Sequence, residues 1–274
     1  MVARRTGEKD PERAARTAVQ ALGLGVLLGV PVALLGVLFS RELLVLMGAS
    51  PWVLEHGLRY TQVMLGSMVS VMLLFLINAI FRGAGDAAIA MRVLVLANTL
   101  NIVLAPCLIF GLGPFPAWGV TGAAVATTFG RSVGVLYQLY RLGRGGGHIQ
   151  VRLEHVRLET RTMLAMLKLS GAGMFQALVG MTSWVVLLRI LSSFGSAAVA
   201  GHTIAMRIIL FALLPSWGLG NAAATLVGQS LGAQKPERGE QAVWTAGRIT
   251  ASDCLLAVVS GLLFRRGHWK HRTV

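Results

Sequence analysis

Long apolar runs separated by short polar stretches dominate the chain. A helix that crosses a membrane needs about 20 mainly apolar residues. Six runs are long enough: Thr17 to Phe39, Leu58 to Phe81, Val93 to Leu112, Val120 to Arg141, Met166 to Leu191 and Ala197 to Leu231. Pro31 and Pro215 lie inside two of these runs and predict bends. The pattern therefore predicts an all-α, polytopic membrane bundle.

A seventh run, Gln241 to Phe264, is interrupted by Arg248 and Asp253. Only its second part is continuously apolar, which is short for a span. Whether this segment crosses the membrane is left open by the sequence.

Composition supports the membrane assignment, since the mean hydropathy is +0.68 and only 13% of residues are charged. The net charge is +14, but the basic residues lie between the apolar runs and form no contiguous basic face. Nucleic acid is therefore not an expected partner. Lys and Arg are retained on the cytoplasmic side, which places the N-terminal end, the connector after Arg141 and the Gly232 to Glu240 loop there. A multi-pass protein of the inner membrane, in contact with the lipid bilayer, is expected.

Groups that could perform catalysis are missing from the sequence pattern. Cys107 and Cys254 both lie in apolar runs, where a thiol packs as a small hydrophobe, so no disulfide framework is indicated. There is also no Walker loop, no cluster with metal-ligand spacing and no nucleophile paired with a base. We expect neither an enzyme nor a metal site.

One segment occurs twice, as Gly7-Glu-Lys-Asp-Pro-Glu-Arg13 and as Gly232-Ala-Gln-Lys-Pro-Glu-Arg238, each time before an apolar run. The two copies are 225 residues apart (236 − 11 for the prolines). A membrane chain that repeats itself at this distance is typical of a transporter built from two homologous bundles. The counterparts of Leu167 to Gln229 and of Arg82 to Asp86 would fall outside the sequence, so both ends are expected to be cut.

An ordered series of motifs resembles the multidrug and toxic compound extrusion (MATE) family. It includes Phe81-Arg-Gly-Ala-Gly-Asp86, Gly119-Val-Thr-Gly-Ala-Ala-Val-Ala-Thr127, Ala223-Ala-Thr-Leu-Val-Gly-Gln229 and Leu231-Gly-Ala-Gln-Lys-Pro-Glu-Arg238. The resemblance implies a fold of twelve helices in two six-helix lobes. Residues 1–141 would then hold family helices three to six, 142–165 a cytoplasmic connector, 166–264 family helices seven to nine, and 265–274 an atypical basic tail.

The function that the resemblance implies is antiport, in which small organic cations or amphipathic drugs leave in exchange for H⁺ or Na⁺, with no other cofactor. Because each lobe would lack helices, the chain is expected to be incomplete and inactive alone. Two rivals are a lipid-linked sugar flippase of the same superfamily and a non-transporting membrane partner subunit. A third is a misread gene, because Arg265 to Val274 is unlike the apolar sequence before it.

Polar and aromatic residues within the runs are candidates for a transport face: Asn78, Asn101, Thr127, Gln176, Trp184, His202 and Asn221. In one branch of the family, the resemblance implies an aspartate four residues after Asn101, as part of a proton site. Here that position is Ala105. Asn and Thr in membranes commonly hydrogen-bond neighbouring helices, and we favour that structural role over transport.

Two further groups are expected to be structural. Arg82 and Asp86 flank Gly83 and Gly85, and their spacing predicts a local ion pair across a glycine turn. Pro236, Glu237 and Arg238 belong to the repeated segment and are expected to shape the loop there.

Overall fold

The computed structural model describes residues 1–145, 148–152, 154 and 159–265, and these residues contain helices but no strand. The helices, in chain order, are α1 (Val2–Gly7), α2 (Pro11–Leu38), α3 (Ser40–Leu46), α4 (Pro51–Gly66), α5 (Met68–Ala84), α6 (Ala87–Phe110), α7 (Val120–Arg144), α8 (Thr160–Ser192), α9 (Ser196–Gly232) and α10 (Pro236–Arg265). The all-α prediction is confirmed. Most of the basic tail, residues 266–274, lies outside the described residues.

The repeated segment folds into the same turn in both copies. Lys9 and Gln234, which are equivalent, are the two described non-glycine residues with positive φ, at 58° and 55°. In each copy a helix ends, the chain reverses through this left-handed residue, and a proline, Pro11 or Pro236, begins the next helix. Proline suits that position because its fixed φ is helical and the first helical residue needs no N–H partner. The two copies are therefore similar in backbone conformation as well as in sequence.

The run from Leu58 to Phe81, which was predicted to span, is not a single helix. The chain breaks at Ser67 into α4 and α5, which meet at 43°. The Ser67 hydroxyl donates to the Met64 carbonyl at 2.8 Å. A Gly-Ser pair whose hydroxyl occupies a backbone acceptor is a common cause of a sharp kink.

A bend of 45° in α9 lies between Phe211 and Leu213. Pro215 has no N–H to donate to the carbonyl four residues earlier, which belongs to Phe211. The bend predicted from Pro215 is therefore found on the turn before the proline.

Three described helices, α2, α6 and α8, are long and apolar enough to cross a membrane, and the bent pairs raise this number to as many as five. Of the six runs predicted to span, only α7 falls short in apolar content, although it is helical over 25 residues. Arg131 lies near its centre. An arginine at this depth is costly unless protein or water surrounds it.

The tightest packing is in the N-terminal bundle, which is formed by α1 to α7. Its core clusters around Phe81, Ile77 and Val93, all with 1% or less of their surface exposed. Ile149, from the start of the connector, is also buried in this core, and the Val151 N–H donates to the Leu142 carbonyl. The first part of the connector is therefore anchored to the bundle.

The C-terminal group, α8 to α10, packs much less. Its described buried hydrophobic residues are Met163, Met166 and Ala223. Large apolar side chains such as Phe175 and Phe211 remain more than two-thirds exposed. These outward faces have the character of surfaces made for lipid or for other apolar helices.

Candidate functional site

The two groups of helices meet where α1 crosses α9. Small residues allow the crossing: Ala3 and Gly7 on α1 face Gly228 and Gly232 on α9, and we call these four residues the glycine seam. A β-carbon added to Gly7 would lie 2.0 Å from the Gln229 carbonyl oxygen. One added to Gly232 would lie 2.0 Å from the Arg4 carbonyl oxygen. Close crossing of backbones at small residues four apart is a recurrent contact between membrane helices.

The seam is symmetric in sequence as well as in space. Ala3, Arg4 and Gly7 lie 225 residues before Gly228, Gln229 and Gly232. Each copy of the repeat therefore contacts the other through the same atoms. This is the arrangement expected where two homologous bundles meet on a pseudo-two-fold axis.

The glycine turn after α5 also joins the seam. Gly85, with φ of +97°, ends α5 in the left-handed conformation that glycine adopts readily. The Gly83 carbonyl accepts a hydrogen bond from Gln229 Nε2 at 3.0 Å, and Gly83 lies close to α1. The glycines thus shape the turn and admit Gln229, which fits the structural role expected of them.

The ion pair predicted in this turn is absent, and Asp86 has a different partner. Asp86 does not pair with Arg82 in the described structure. Instead, Asp86 Oδ1 lies 2.6 Å from His148 Nδ1, and Asp86 Oδ2 accepts the His148 N–H at 2.6 Å. The helix ends at Gly85, so the four-residue spacing no longer places both side chains on one face.

Charges on the outer side of α1 are satisfied locally. Arg4 and Arg5 both donate to the Glu8 carboxylate, at 3.2 Å and 2.7 Å. The hydrogen bond from Arg5 is the main reason that the pKa of the Glu8 carboxyl is below its ordinary value. Neither of these arginines lines the cavity described next.

A cavity of about 460 Å³ lies beside the seam, between α1, α2 and α5 on one side and α8 and α9 on the other. This volume is within the usual range for sites that bind small molecules. The lining includes Leu24, Leu28, Met72, Leu76, Met166, Leu169, Thr17, Ser170, Asn221, Thr225 and Arg82. Arg82 lies next to Gly83, at the seam end of the cavity, whereas Leu28 lies about 17 Å further along α2 than Thr17.

The cavity wall combines apolar and polar side chains. Leu28, Met72 and Leu76 are apolar, and the polar side chains include the hydroxyls of Thr17 and Ser170. No aspartate or glutamate within the described ranges lines it. The charged side chain that does is Arg82.

A second cavity, of about 660 Å³, opens on the other side of the seam. It is lined by Gly85 and by residues from both copies of the repeat, including Gly7, Lys235 and Arg238. Pro236 begins α10 at its rim and Glu237 lies in the first turn of that helix. Pro236, Glu237 and Arg238 therefore lie at the junction of α9 and α10, where a structural role had been expected.

Three residues of the predicted transport face, Asn78, Asn101 and Thr127, lie within the N-terminal bundle. Asn101 Nδ2 donates to Thr127 Oγ1 at 2.8 Å, which joins α6 to α7. Asn78 Oδ1 accepts from Gln138 Nε2 at 2.9 Å, and both of these side chains are buried. These bonds join neighbouring helices, and neither pair lines the cavity between the two groups.

The remaining candidates lie on the C-terminal group and are not brought together. Asn221 lines the cavity, although its Nδ2 donates to the Trp217 carbonyl of its own helix at 2.9 Å. Gln176 and Trp184 are on exposed parts of α8. The His202 Nε2 atom is buried without a hydrogen-bond partner within the described residues.

Several residues at the site were missed by sequence reasoning. Ser170 and Thr225 line the cavity, but isolated hydroxyls in apolar helices give little signal. Arg82 had been assigned to a local pair. A search for arginines at the ends of spans whose acidic neighbour follows a helix-ending glycine would have identified it.

Two polar contacts tie α8 to the N-terminal bundle at its opposite ends. The Glu159 N–H, just before α8, donates to Gln20 Oε1 on α2 at 2.8 Å. At the far end, Arg189 Nη1 donates to the Leu46 carbonyl at 2.7 Å. A cation at the C-terminal end of α3 is favoured by the helix dipole and by the free carbonyls there, so Arg189 has an anchoring geometry.

Comparison with known proteins identifies the family. Residues 1–107 and 171–267 match the family model MatE. A probable multidrug resistance protein, YoeA of Bacillus subtilis, is 26% identical over 241 residues, which are 86% of this chain and 52% of that protein. A probable multidrug resistance protein, NorM of Thermotoga maritima, is 32% identical over 170 residues, covering 62% of this chain and 36% of that protein.

Solved structures agree with the sequence matches. A MOP superfamily transporter from Pyrococcus furiosus, described with a binding pocket of reverse polarity that suggests a different function, has a TM-score of 0.80 and 30% identity. The alignment covers 96% of this chain and 58% of that structure, so the chain spans little more than half the length of such relatives. These proteins are multi-pass membrane transporters, not enzymes, with a two-lobe helical fold. The chain belongs to the MatE family, the multidrug and toxic compound extrusion transporters.

Proposed function

We propose that the cavity beside the glycine seam is the compound-binding site of a multidrug exporter. In this proposal residues 1–141 belong to one lobe, 166–264 belong to the other, and the connector, 142–165, is cytoplasmic. The seam then closes the cavity on the cytoplasmic side. The observation that supports this best is the symmetric crossing, in which both copies of the repeat meet between the two groups of helices.

The transported compounds would be amphipathic organic molecules, because the cavity wall carries both apolar side chains and neutral polar ones. Met72 and Met166 suit varied ligands, since methionine is flexible and polarisable. The resemblance also implies small organic cations. A cation would have to bind here through Asn221, hydroxyls and carbonyls, because the described walls hold no carboxylate.

Coupling to H⁺ or Na⁺ is likewise proposed from the family. Asn101 and Thr127 form the polar pair closest to the family's proton site, and Ala105 follows Asn101 by one turn without a carboxyl group. Neither the Asn101 nor the Thr127 side chain is titratable. Exchange of the driving ion would therefore depend on other groups.

A binding measurement tests the proposed site. The chain is placed in nanodiscs of zwitterionic lipid and titrated with phenylnaphthylamine, a neutral amphiphile that fluoresces in apolar surroundings, with empty nanodiscs as the blank. Ala224 lines the cavity, so Ala224→Phe should fill it and weaken binding at least tenfold. Ala222, two residues earlier, does not line the cavity and provides the matched control, Ala222→Phe. Equal binding by both variants would place the ligand elsewhere.

Transport by the chain alone is a separate measurement. We propose that the 274-residue chain does not pump by itself, because the apolar faces of α8 to α10 are left exposed and alternating access needs both lobes closed around the cavity. Proteoliposomes with an imposed pH or Na⁺ gradient should show no dye efflux above empty vesicles. Gradient-driven efflux would contradict this part of the proposal.

The exposed apolar faces are proposed to contact lipid in the membrane. The relatives named above are multidrug resistance proteins and transporters, and they do not favour the sugar flippase or the non-transporting partner as alternatives.

A further inference from the structure

We infer that the cavity selects amphiphiles with an anionic head group, which the Arg82 guanidinium would bind. This inference rests on the proposed binding site and specifies its ligand class. Arg82 lines the cavity at its seam end and is half-buried. It therefore combines a permanent positive charge with a reduced exposure to water.

The fate of Asp86 is the first step in this argument. One turn after Arg82, this carboxylate would ordinarily neutralise the guanidinium. The structure assigns both Asp86 oxygens to His148, at 2.6 Å each, and only 12% of the Asp86 side chain is exposed. The nearest acidic residue in sequence is therefore already engaged by the connector.

The surroundings of Arg82 are the second step. Within the described part of the chain, its guanidinium has no hydrogen-bond or ion-pair partner, whereas Arg4 and Arg5 share Glu8. The other polar side chains of the cavity, Asn221 and the hydroxyls, are neutral, and the Met1 α-amino group also belongs to its lining. A cation that entered would be repelled by Arg82, and an anion would gain a charge-assisted hydrogen bond there.

The length of the cavity is the third step. Arg82 is at the end of α5, and the apolar lining from Leu76 to Met72 extends from it for about 15 Å along the same helix. A molecule with one sulfonate, carboxylate or phosphate and a flat apolar body would place its head at Arg82 and its body against these side chains. The class is thus an organic anion with a single charged end.

Two probes that share one aromatic skeleton test this class. Anilinonaphthalene sulfonate is phenylnaphthylamine with an added sulfonate group, so their difference in binding isolates the head group. The dissociation constant of each is measured by fluorescence in the nanodiscs described above. Arg82→Met should weaken sulfonate binding about tenfold or more, the effect of one lost charge-assisted hydrogen bond, and leave the neutral probe within about twofold.

Arg92 provides the matched control, because it is exposed on α6 near the same end of the bundle and does not line the cavity. Arg92→Met removes the same charge and should leave both probes unchanged. Equal weakening by Arg82→Met and Arg92→Met would show a general surface-charge effect and overturn the inference. Unchanged sulfonate binding in Arg82→Met would overturn it as well.

A competition on the unmodified chain covers the case in which Arg82→Met does not fold. Decyl sulfonate and decyl trimethylammonium, below their micelle concentrations, compete with bound phenylnaphthylamine. The sulfonate should displace the probe at a concentration at least about fivefold lower, and equal or reversed potency would refute anion selection. If Ala224→Phe weakens both probes while Arg82→Met weakens neither, the proposed site stands and the anionic class falls. If Ala224→Phe weakens neither, both fall.

Discussion

Replacing Gly232 by alanine should force the two groups of helices apart at the seam. The added β-carbon would lie 2.0 Å from the Arg4 carbonyl oxygen, 2.9 Å from the Arg4 carbonyl carbon and 3.0 Å from the Glu8 nitrogen. All three atoms belong to the backbone, so no side-chain rotation relieves the contact. To reach even 3.0 Å from the oxygen, α1 and α9 would have to separate by about 1 Å at this point.

The cost follows from the usual penalty for overpacking, about 1–3 kcal/mol. If the separated state relieves the clash, its ratio to the closed state should rise by about 5–150-fold. The intrinsic preference of alanine for helices acts in both states and does not change this ratio. Gly7→Ala should act in the same way, because its β-carbon would lie 2.0 Å from the Gln229 carbonyl oxygen.

The assay is a distance measurement between the two copies of the repeat. Nitroxide labels are attached to cysteines that replace Arg13 and Arg238, which are equivalent and exposed, after Cys107 and Cys254 have been changed to serine. Double electron–electron resonance should show a longer-distance population in Gly232→Ala. Gly220→Ala is the matched control on the same helix, since nothing lies within 4 Å of its added β-carbon.

A Gly232→Ala distribution identical to that of Gly220→Ala would refute the reasoning. The double variant with Gly7→Ala gives a second check. Once one methyl group has separated the helices, the other meets less resistance. The free-energy cost of the double variant should therefore be smaller than the sum of the costs of the two single variants. Full additivity would indicate that the two glycines do not share one contact.

Three further predictions concern the N-terminal bundle. Asn78→Leu should destabilise the chain by about 1–3 kcal/mol in denaturant unfolding, because the buried Gln138 Nε2 loses the Asn78 Oδ1 acceptor and keeps only the longer bond to the Leu74 carbonyl, and adding Gln138→Leu should recover part of this loss; a double variant less stable than Asn78→Leu would contradict it. Gly85→Ala should cost about 1–2 kcal/mol, since φ is +97° there, and an unchanged unfolding midpoint would argue against strain. His148→Ala should speed hydrogen exchange at residues 149–151, because it removes the side-chain contact with Asp86, whereas unchanged exchange would show that the backbone bond to Asp86 and the burial of Ile149 anchor the connector.

Local features of the fold could be predicted wherever the sequence repeats or follows a strict periodicity. Each copy of the repeated segment places a proline at the start of a helix, α2 or α10. The two similar sequences form similar turns. The kink at Ser67 could not be predicted in this way. The Gly66-Ser67 pair interrupts the apolar run, but such pairs also occur in unbroken helices, and the bond from the Ser67 hydroxyl to the Met64 carbonyl accompanies the break here.

The site was harder to predict because its residues come from distant parts of the chain. Arg82 and Asp86 have the spacing of an ion pair in a helix, but Gly85 ends the helix between them. The partner that Asp86 takes, His148, is 62 residues away, and no local rule connects them. Candidates selected for polarity within spans, such as Asn78, were found in bonds between helices of one bundle. The cavity is instead defined by where the two groups of helices meet.

The symmetry of the seam has a consequence for how the proposed site would open. Gly7 contacts the Gln229 carbonyl and Gly232 contacts the Arg4 carbonyl, so one rotation about the axis between the groups must break both contacts at once. The bond from Gln229 to Gly83 would break with them, which would move α9 away from the turn that presents Arg82. Opening of the seam and exposure of the Arg82 guanidinium are therefore expected to be a single event. An anionic ligand bound at Arg82 would then be released, or admitted, by the same movement that separates the two copies of the repeat.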